Sequence, residues 1–447
     1  MHLPRILVAA PGTGQGKTTV ATGLMAALRR AGHEVSGHKV GPDYIDPGYH
    51  ALACGRPGRN LDPHLVGEDL IVPLLQHGAR DAGVAVIEGV MGLFDGRIGT
   101  QGFASTAHVA TLTRTPVILV VDVARASRSI GAVVHGMATW DPTVGVAGVI
   151  LNRVGSARHA EEIREAVGLP ILGEIPRDPN LATPSRHLGL VTVAERDESA
   201  ATVAELADVI ARHVDLDAIG DIARSAPDLE GDPWHPVTAL GDAAVVEPAR
   251  RPVVAIAAGR AFTFRYAETV ELLCAAGCDV IAFDPARDRR LPDGTAGLYL
   301  GGGFPEEHAA AISDNVTLRT QIREAVADGL PTVAECAGLL YLCTTLDERP
   351  MAGAIDADAR MTDRLTLRYP QAIATEDTLL TRAGERITGH EFHRTQVTPE
   401  TVGTPAWFVD RAPIGFASET LHASYLHTHW AGYPQMAARF AAAVHAR

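Results

Sequence analysis

The stretch APGTGQGKTTVATGL, Ala10–Leu24, has three glycines directly ahead of a lysine and a threonine. It follows a short apolar run, Arg5–Ala10, and it leads into a segment with helical composition. A glycine loop between a strand and a helix directs backbone N–H groups toward a bound phosphate. The stretch therefore predicts an α/β domain with a nucleotide site after its first strand.

This loop departs from the strict phosphate-loop pattern at one position, where Pro11 replaces a glycine. We expect Lys17 to reach the outer phosphates of ATP and the Thr18 hydroxyl to help hold Mg²⁺. The alternative is a flexible turn with an incidental lysine. The residues predicted to bind ATP in this loop are Gly12, Thr13, Gly14, Gln15, Gly16, Lys17, Thr18 and Thr19.

Length and composition limit the class of protein. A chain of 447 residues with 46% hydrophobic and 21% charged residues is expected to form two globular domains. Its net charge of −14 argues against nucleic-acid binding. The five cysteines contain no C-x-x-C pair, which disfavours a zinc site or a disulfide framework. Without a signal peptide or a membrane-spanning run, we expect a cytoplasmic protein and no membrane partner.

Continuous apolar runs alternate with helical segments in the first half of the chain, which predicts a parallel sheet covered on both faces. A region rich in Pro, Asp and Gly follows, and a second α/β series begins near Pro252. The last third is expected to contain mainly strands. The predicted division is residues 1–215, a linker at 216–250, and residues 251–447.

Carboxylates follow several of the predicted strands. Asp43 and Asp46 lie beyond one short strand, Glu88 ends another, and Asp95 comes after a glycine-rich turn. Ligands bind outside the carboxyl ends of parallel strands, and Mg²⁺ on phosphates takes one or two carboxylates. Alternatively, Asp46 and Asp95 only cap turns. Asn152 ends a further strand, where it would contact adenine or cap a turn.

A lone cysteine, Cys336, lies between an apolar strand and a helical segment in PTVAECAGLLYL, Pro331–Leu342. A nucleophile at such an elbow is exposed, and the helix N-terminus is expected to lower its pKa. The glycine loop after the preceding strand would supply an oxyanion hole through Gly302 and Gly303, with the N–H of Ala337 as partner. The alternative is a buried structural thiol.

A thiol nucleophile needs a base, and the segment LHASYLHTHWAG, Leu421–Gly432, contains three histidines. We expect them on one strand, with His427 and His429 on the same face. His422 is equally explained as part of a polar strand edge. The segment GHEFHRT, Gly389–Thr395, is a further polar cluster for substrate contact or domain packing.

Taken together, these motifs resemble the cobyrinic acid and hydrogenobyrinic acid a,c-diamide synthase family. The resemblance covers essentially the whole chain. It rests on the phosphate loop, the elbow cysteine and the segments KVGPDYIDP, EGVMGLFDG, PSRHLGL, GGGFPE, GHEFHRT and ASYLHTHW. It implies an N-terminal P-loop domain of the dethiobiotin-synthetase type and a C-terminal class I glutamine amidotransferase domain.

The resemblance also implies roles for individual residues. Cys336 would be the glutaminase nucleophile and His427 its base, with His429 as the rival. Typical class I amidotransferases have a glutamate two residues after that histidine, a place taken here by His429 or Ala431. The implied magnesium ligands are Thr18, Asp43 and Glu88. The implied substrate contacts are Asp46, Asp95, Tyr44 and Arg186.

The implied reaction uses ATP, glutamine and a corrinoid hexa-acid, with Mg²⁺ as cofactor, to amidate two acetate side chains through acyl phosphates. A homodimer is a further expectation. Three alternatives remain at this point: an amidase of cobyric acid synthase type, a non-catalytic P-loop switch ATPase, and a glutamine sensor with a degenerate second domain. The alanine- and arginine-rich composition is common in high-GC aerobic bacteria, and it favours hydrogenobyrinic acid over cobyrinic acid as the substrate.

Overall fold

The computed structural model divides into two units, Met1–Pro63 with Gly67–Trp234, and His64–Val66 with His235–Arg447. It describes residues 1–178, 199–245 and 251–447, together with the backbone of residues 185–186 and 189–190. Each unit contains a mainly parallel sheet, so the predicted α/β class is confirmed. None of the helices in these described ranges is long and apolar enough to cross a lipid bilayer.

The first unit is built on a seven-stranded sheet in which all neighbouring strands are parallel. The order is β3-β2-β4-β1-β5-β6-β7. Its strands are β1 (Arg5–Ala9), β2 (Val35–Val40), β3 (Arg59–Leu61), β4 (Val84–Glu88), β5 (Val117–Asp122), β6 (Val146–Val154) and β7 (Ile171–Pro176). Because the chain passes to one side of β1 for β2–β4 and to the other for β5–β7, the loop after β1 lies at a topological switch point.

The α-helices described among residues 1–234 lie between successive strands or after the last one, with two consecutive helices after β3 and two after β9. They are α1 (Lys17–Arg30), α2 (Asp46–Cys54), α3 (Pro63–Val66), α4 (Ile71–Gly78), α5 (Thr106–Leu112), α6 (Ser129–Thr139), α7 (Ala157–Arg164), α8 (Ser199–His213) and α9 (Leu216–Arg224). A two-stranded hairpin is formed by β8 (Ser185–Arg186) and β9 (Gly189–Leu190).

The range 216–250, assigned to a linker on composition, contains ordered helix. Asp215 caps α9 by accepting a 2.9 Å hydrogen bond from the Ala218 N–H, and α10 (Pro236–Leu240) follows. The two units meet in sequence between Trp234 and His235. Proline and glycine in this range therefore mark helix ends as well as irregular chain.

The second unit contains a six-stranded sheet, β11-β10-β12-β13-β23-β22, which is parallel except for its last pair. Two smaller sheets accompany it, β15-β14-β16-β19 and β18-β17-β20-β21. The strands are β10 (Val253–Ala257), β11 (Asp279–Phe283), β12 (Thr295–Leu300), β13 (Thr332–Glu335), β14 (Thr345–Leu346), β15 (Arg349–Pro350), β16 (Asp358–Arg368), β17 (Gln371–Ile373), β18 (Arg386–Thr388), β19 (Glu391–Thr398), β20 (Trp407–Val409), β21 (Ala412–Ile414), β22 (Phe416–Ala417) and β23 (Leu421–Ser424). The helices are α11 (Ala267–Ala275), α12 (Ala309–Asp314), α13 (Val316–Ala327), α14 (Ala337–Leu342) and α15 (Pro434–His445).

Candidate active sites

The glycine loop joins β1 to α1 as expected, and α1 begins at Lys17. Gly16 adopts a left-handed conformation with φ of 95°, and a Cβ there would lie 2.3 Å from Nδ2 of Asn152. Asn152 donates a 2.8 Å hydrogen bond to the Gln15 carbonyl, while Oε1 of Gln15 accepts one from the Asp122 N–H. The loop is therefore anchored to the ends of β5 and β6.

Lys17 lies over this loop. Its Nζ donates to the carbonyl oxygens of Gly12 and Met91. Burial, together with the neighbouring charge of Lys39, lowers the pKa of Lys17 to about 8. Thr19 lines a small cavity with Gly16 and Asn152, and Thr13 and Gly14 are exposed at the tip of the loop. The predicted ATP-binding residues thus gather at one edge of the sheet.

A buried lysine joins two of the predicted carboxylates beside the loop. Nζ of Lys39 lies 2.6 Å from Oδ2 of Asp46 and 2.8 Å from Oε1 of Glu88. The Thr18 hydroxyl donates to the same Glu88 oxygen over 2.6 Å and lies 3.3 Å from the same Asp46 oxygen. On the other side of Glu88, Nε2 of His50 lies 2.7 Å from Oε2. With the Gly89 carbonyl, which accepts a third hydrogen bond from Nζ of Lys39 at 3.1 Å, three oxygen atoms therefore surround the ammonium group.

The opposite charges in this cluster stabilise one another and so offset the cost of removing them from water. Although burial opposes its charge, Lys39 keeps a raised pKa because Asp46 and Glu88 are adjacent. Burial likewise opposes the Glu88 carboxylate, yet Lys39 and His50 hold its pKa below the usual range. For Asp46 burial prevails and, with Asp43 and Glu88, raises the pKa. Glu88 is thus the most firmly ionised of these acids.

The carboxylate oxygens of Asp46 and Glu88 already surround a positive charge, that of Lys39. Such an arrangement also suits Mg²⁺, which takes one or two carboxylates and completes its coordination shell with phosphate oxygens and water. No cluster of three or more His, Cys, Asp or Glu residues is arranged as a metal site in the part of the chain that the structure describes. With only two described carboxylates in contact with the Thr18 hydroxyl, the residues that could hold the ion, together with phosphate oxygens, are Thr18, Asp46 and Glu88.

Two of the acids predicted to bind metal or substrate instead accept hydrogen bonds from backbone N–H groups of their own turns. Oδ1 of Asp43 accepts hydrogen bonds from the N–H groups of Ile45 and Asp46, at 2.8 and 2.9 Å. Oδ2 of the exposed Asp95 accepts one from the Gly92 N–H at 2.9 Å. Turn capping, the alternative considered for Asp46 and Asp95, thus describes Asp95 but not Asp46, which points to Lys39 and Thr18. It also describes Asp43, which was expected to bind the metal.

The other two predicted substrate contacts are placed differently. Tyr44 is buried in the same loop as Asp43, directly before α2. Arg186 belongs to the short strand β8, but its side chain lies outside the described residues. Its role remains a prediction.

The predicted strand–elbow–helix geometry around Cys336 is confirmed. Strand β13 ends at Glu335, α14 begins at Ala337, and Cys336 between them has φ of 49° and ψ of −97°. A positive φ at a non-glycine residue is strained and is typical of functional sites. The turn is tied to the neighbouring glycine loop by a 3.0 Å hydrogen bond from the Gly338 N–H to the Gly301 carbonyl.

Cys336 is buried rather than exposed as expected, and the expectation that the helix would lower the pKa of the thiol is also wrong for this structure. Burial raises the pKa of Cys336, and the nearby Glu306 carboxylate adds to the effect. A hydrogen bond from the Ala337 N–H opposes the rise but does not overcome it. The thiol is therefore neutral at rest, and a base must remove its proton when it reacts.

His427 lies against the glycine loop that contains Gly302. A Cβ on Gly302 would stand 2.5 Å from Cε1 of His427. The imidazole stacks on His390 with ring centroids 4.7 Å apart and meets the edge of Phe264 at 4.9 Å. Burial lowers the pKa of His427 to about 3, so the ring is neutral and able to accept a proton.

The prediction that one strand holds all three histidines is wrong, because β23 ends at Ser424. His427 instead forms an isolated bridge with His390, and His429 lies in irregular chain beyond it. The ring of His429 stacks on Tyr266 at 4.0 Å, and its Nε2 lies 3.6 Å from Glu268. The two histidines therefore have different surroundings.

The three residues predicted to form the oxyanion hole differ in whether their N–H groups are available. The Gly302 N–H already donates to the Phe264 carbonyl over 3.0 Å. Gly302 thus provides space for His427, while Gly303 and Ala337 remain the predicted donors. The Ala337 N–H faces Cys336, as an oxyanion hole beside the nucleophile requires.

Sequence reasoning missed two charged residues that the structure places in these sites. Lys39 lies in the buried strand β2, paired in register with Glu88. Glu335 is the last residue of the buried strand β13. A charged residue inside an otherwise apolar strand was the available signal, since such residues are rarely buried without a partner.

Comparison with known proteins agrees with this geometry. Residues 6–191 match a family model described as the CobQ/CobB/MinD/ParA nucleotide binding domain, and residues 253–435 match one described as a CobB/CobQ-like glutamine amidotransferase domain. The hydrogenobyrinate a,c-diamide synthase of Thermobifida fusca is 60% identical, with 99% of this chain and 97% of that protein aligned. The protein of the same name from Streptomyces coelicolor is 52% identical over 98% of this chain and 97% of its own.

The chain belongs to the a,c-diamide synthase family. A more distant relative, the cobyrinate a,c-diamide synthase of Gloeobacter violaceus, is 42% identical over 97% of this chain and 96% of its own. The resemblance inferred from the motifs is thus confirmed over both domains. A switch ATPase limited to a nucleotide-binding domain does not fit the family, because its members align along both halves of the chain.

Proposed function

We propose that the protein is a glutamine-hydrolysing ligase that uses ATP to convert the a- and c-acetate carboxylates of hydrogenobyrinic acid to amides. The observation that carries this proposal is the match along the full chain to relatives of that name. Relatives named for the cobalt-containing substrate, cobyrinate, are more distant, at 42% and 38% identity. The cobalt-free corrinoid is therefore the expected substrate.

The second unit would release ammonia from glutamine. His427 takes the proton of the Cys336 thiol, and the sulfur attacks the side-chain carbonyl carbon of glutamine. The N–H groups of Ala337 and Gly303 stabilise the oxyanion. The proton then passes from His427 to the departing nitrogen, ammonia leaves, and water hydrolyses the glutamyl thioester. His429, which faces Glu268 and Tyr266, is the weaker candidate for the base.

Glutamine has a candidate pocket in the same unit. A cavity of about 470 Å³ is lined by Leu339 of the nucleophile's helix, by Tyr425, and by Glu391 and Arg364. The carboxylate and guanidinium groups match the α-ammonium and α-carboxylate of an amino acid. Glu391 also lies near enough to Cys336 to influence its pKa.

The first unit would activate the substrate. A corrinoid carboxylate attacks the γ-phosphorus of ATP, the bond to the β-phosphate oxygen breaks, and ammonia then displaces phosphate from the acyl phosphate. Lys17 would neutralise charge on the phosphates, and Thr18, Glu88 and Asp46 would hold Mg²⁺. When bound, that ion neutralises the phosphate oxygens. Asp43 and Asp95 remain predicted contacts of metal or corrinoid.

Charge sets one further requirement. The corrinoid is a polyanion and the protein has a net charge of −14, so basic residues must line its pocket. Arg186 and Arg394 are the candidates for this role. A cytoplasmic location and a homodimer also remain predictions.

The test is mass spectrometry of corrinoids after incubation of the protein with ATP, Mg²⁺ and glutamine. Hydrogenobyrinic acid and cobyrinic acid are run in parallel. We expect two carboxylates to become amides, with faster conversion of the cobalt-free compound. Faster conversion of cobyrinic acid would overturn the substrate assignment, and ATP hydrolysis without amidation of either would overturn the ligase.

A further inference from the structure

Glu335, the residue directly before the nucleophile, faces the predicted base. Its Oε2 lies 3.9 Å from Nδ1 of His427. Both side chains are almost fully buried, with 7% of that of Glu335 and 1% of that of His427 exposed. In such surroundings a positive charge formed on the imidazole has little water to stabilise it, and a nearby carboxylate becomes important.

Hydrogen bonds hold this carboxylate in place from two sides. Oε1 accepts from the Thr428 hydroxyl at 2.9 Å, and Oε2 accepts from the Tyr299 hydroxyl at 2.9 Å. Thr428 in turn accepts a 3.1 Å hydrogen bond from Nε1 of Trp430. Because Thr428 follows His427 and Glu335 precedes Cys336, this network links the backbones of the two catalytic candidates.

Other titratable groups near His427 cannot supply the same charge. His390 stacks on the ring, but burial lowers its pKa and keeps it neutral. His393 also lowers the pKa of His427. Glu391 raises the pKa, but both its oxygens accept hydrogen bonds from Arg368, at 2.8 and 3.1 Å. Among the described neighbours, Glu335 is the carboxylate that faces the imidazole nitrogen itself.

We propose, resting on the glutaminase function above, that Glu335 is the positioning residue of this site. It holds the Nδ1–H of His427 toward its own carboxylate, so that Nε2 carries no proton and can accept one from Cys336. It then stabilises the imidazolium until the proton passes to the departing nitrogen. The 3.9 Å separation is an ion-pair distance, and such contacts often shorten when the substrate binds.

The protonation of Glu335 gives a signature of this role. Burial raises the pKa of Glu335 to about 7, against the hydrogen bonds from Thr428 and Tyr299. The carboxylate therefore becomes ionised as the pH rises through neutrality. If the charge acts on His427, glutamine hydrolysis should rise over the same range.

The decisive variant is Glu335→Gln, which keeps the shape and one of the two accepting oxygens but removes the charge. We expect kcat for glutamine hydrolysis to fall about 100-fold with little change in KM, since the interaction strengthens only in the transition state. The rise of kcat with pH near neutrality should disappear. Glu335→Asp, which keeps the charge at a shorter reach, should restore part of the rate. Glu324→Gln, on an exposed glutamate of α13, is the matched control.

Diamide synthesis driven by ammonium salts separates the two proposals. It bypasses the glutaminase, so Glu335→Gln should retain it at the wild-type rate. Absence of ammonia-dependent synthesis in the wild-type protein would instead contradict the proposed ligase function. A Glu335→Gln protein with wild-type kcat and an unchanged pH profile would overturn the positioning role.

A second variant guards against failure of the first to fold. Tyr299→Phe removes only one hydrogen bond to Glu335, and we expect a smaller fall in kcat with the midpoint of the pH profile moved upward, because that bond lowers the pKa of Glu335. An unchanged midpoint and kcat in Tyr299→Phe would count against the proposal.

Discussion

Gly302 and His427 approach so closely that no side chain fits between them. A Cβ built on Gly302 would stand 2.5 Å from Cε1 of the imidazole, well inside van der Waals contact. Since Phe264 and His390 pack against the same ring, the ring has little room to move away. The glycine loop thus determines where the predicted base can lie.

The first prediction concerns this contact. Gly302→Ala should displace the His427 ring and lower the glutamine-dependent rate about 100-fold, the usual effect of a displacement near 1 Å. Ammonia-dependent synthesis, measured on the same protein, should be unchanged. Gly136→Ala is the control, because a Cβ on this exposed glycine of α6 would meet nothing within 4 Å beyond its chain neighbours and the backbone of its own helix. A Gly302→Ala protein with full glutaminase activity would show that the ring position is not critical.

The second prediction distinguishes the two histidines. His427→Asn should reduce glutamine hydrolysis by a factor of about 10²–10⁴, as expected for loss of a general base. His429→Asn should lower the thermal midpoint but leave the rate of glutamine hydrolysis nearly unchanged, because His429 packs against Tyr266 and Glu268. Steady-state glutaminase assays and thermal melts on both variants decide the matter. The reverse ranking of rates would make His429 the base.

The third prediction concerns the buried ion pairs of Lys39. Lys39→Met leaves Asp46 and Glu88 without their shared cation, which should destabilise the first unit by about 3–5 kcal/mol. Millimolar Mg²⁺ should then raise the thermal midpoint of the variant more than that of the wild type. Differential scanning calorimetry with Mg²⁺ and with chelator measures both effects.

The control for Lys39→Met is Arg30→Met. Arg30 pairs with Asp208 at the surface, where both side chains are 56% exposed. Such pairs contribute at most about 1 kcal/mol, so this variant should be nearly neutral and insensitive to Mg²⁺. An equal response of the two variants to Mg²⁺ would contradict a metal site at Asp46 and Glu88.

The fourth prediction concerns the phosphate loop. Gly16→Ala places a Cβ where φ is 95° and where Nδ2 of Asn152 would be 2.3 Å away. The strain of about 1–3 kcal/mol should distort the loop and weaken ATP binding about tenfold or more. Calorimetric titration with ATP measures this. Gly168→Ala, on an exposed glycine with no atom within 4 Å, should bind ATP as the wild type does, and equal affinities for all three proteins would refute the prediction.

The fifth prediction concerns stability and pH. Burial raises the pKa of Glu335 from 4.5 to about 7, so the folded protein binds this proton more tightly than the unfolded chain. Its contribution to stability is present below pH 4.5 and is lost as the pH rises through 7. As the pH rises from 4.5 to 7, the free energy of unfolding of Glu335→Gln should therefore increase by about 3 kcal/mol relative to that of the wild type. Denaturant unfolding of both proteins at several pH values tests it, and a constant difference would contradict the raised pKa.

Local sequence was sufficient for the elements whose signals lie close together in the chain. The loop Gly12–Thr19 between an apolar strand and a helix predicted the phosphate site, because strand, glycines and lysine are consecutive. The elbow at Cys336 was predictable for the same reason. The strand assignment of His427 and His429 failed, because alternation cannot show that β23 ends at Ser424 and that the chain then turns toward Glu268 and Phe264.

The amino-acid sequence by itself determined the α/β class, the family, the strand–loop–helix at Lys17 and the strand–elbow–helix at Cys336, since apolar runs and motifs are read along the chain. Only the tertiary structure decided the partners of the charged groups. Lys39 meets Glu88 because β2 and β4 are neighbours in the sheet, and Glu335 meets His427 because β13 lies beside β23. Burial then sets their pKa values, and burial is a property of the packed fold that no local pattern contains.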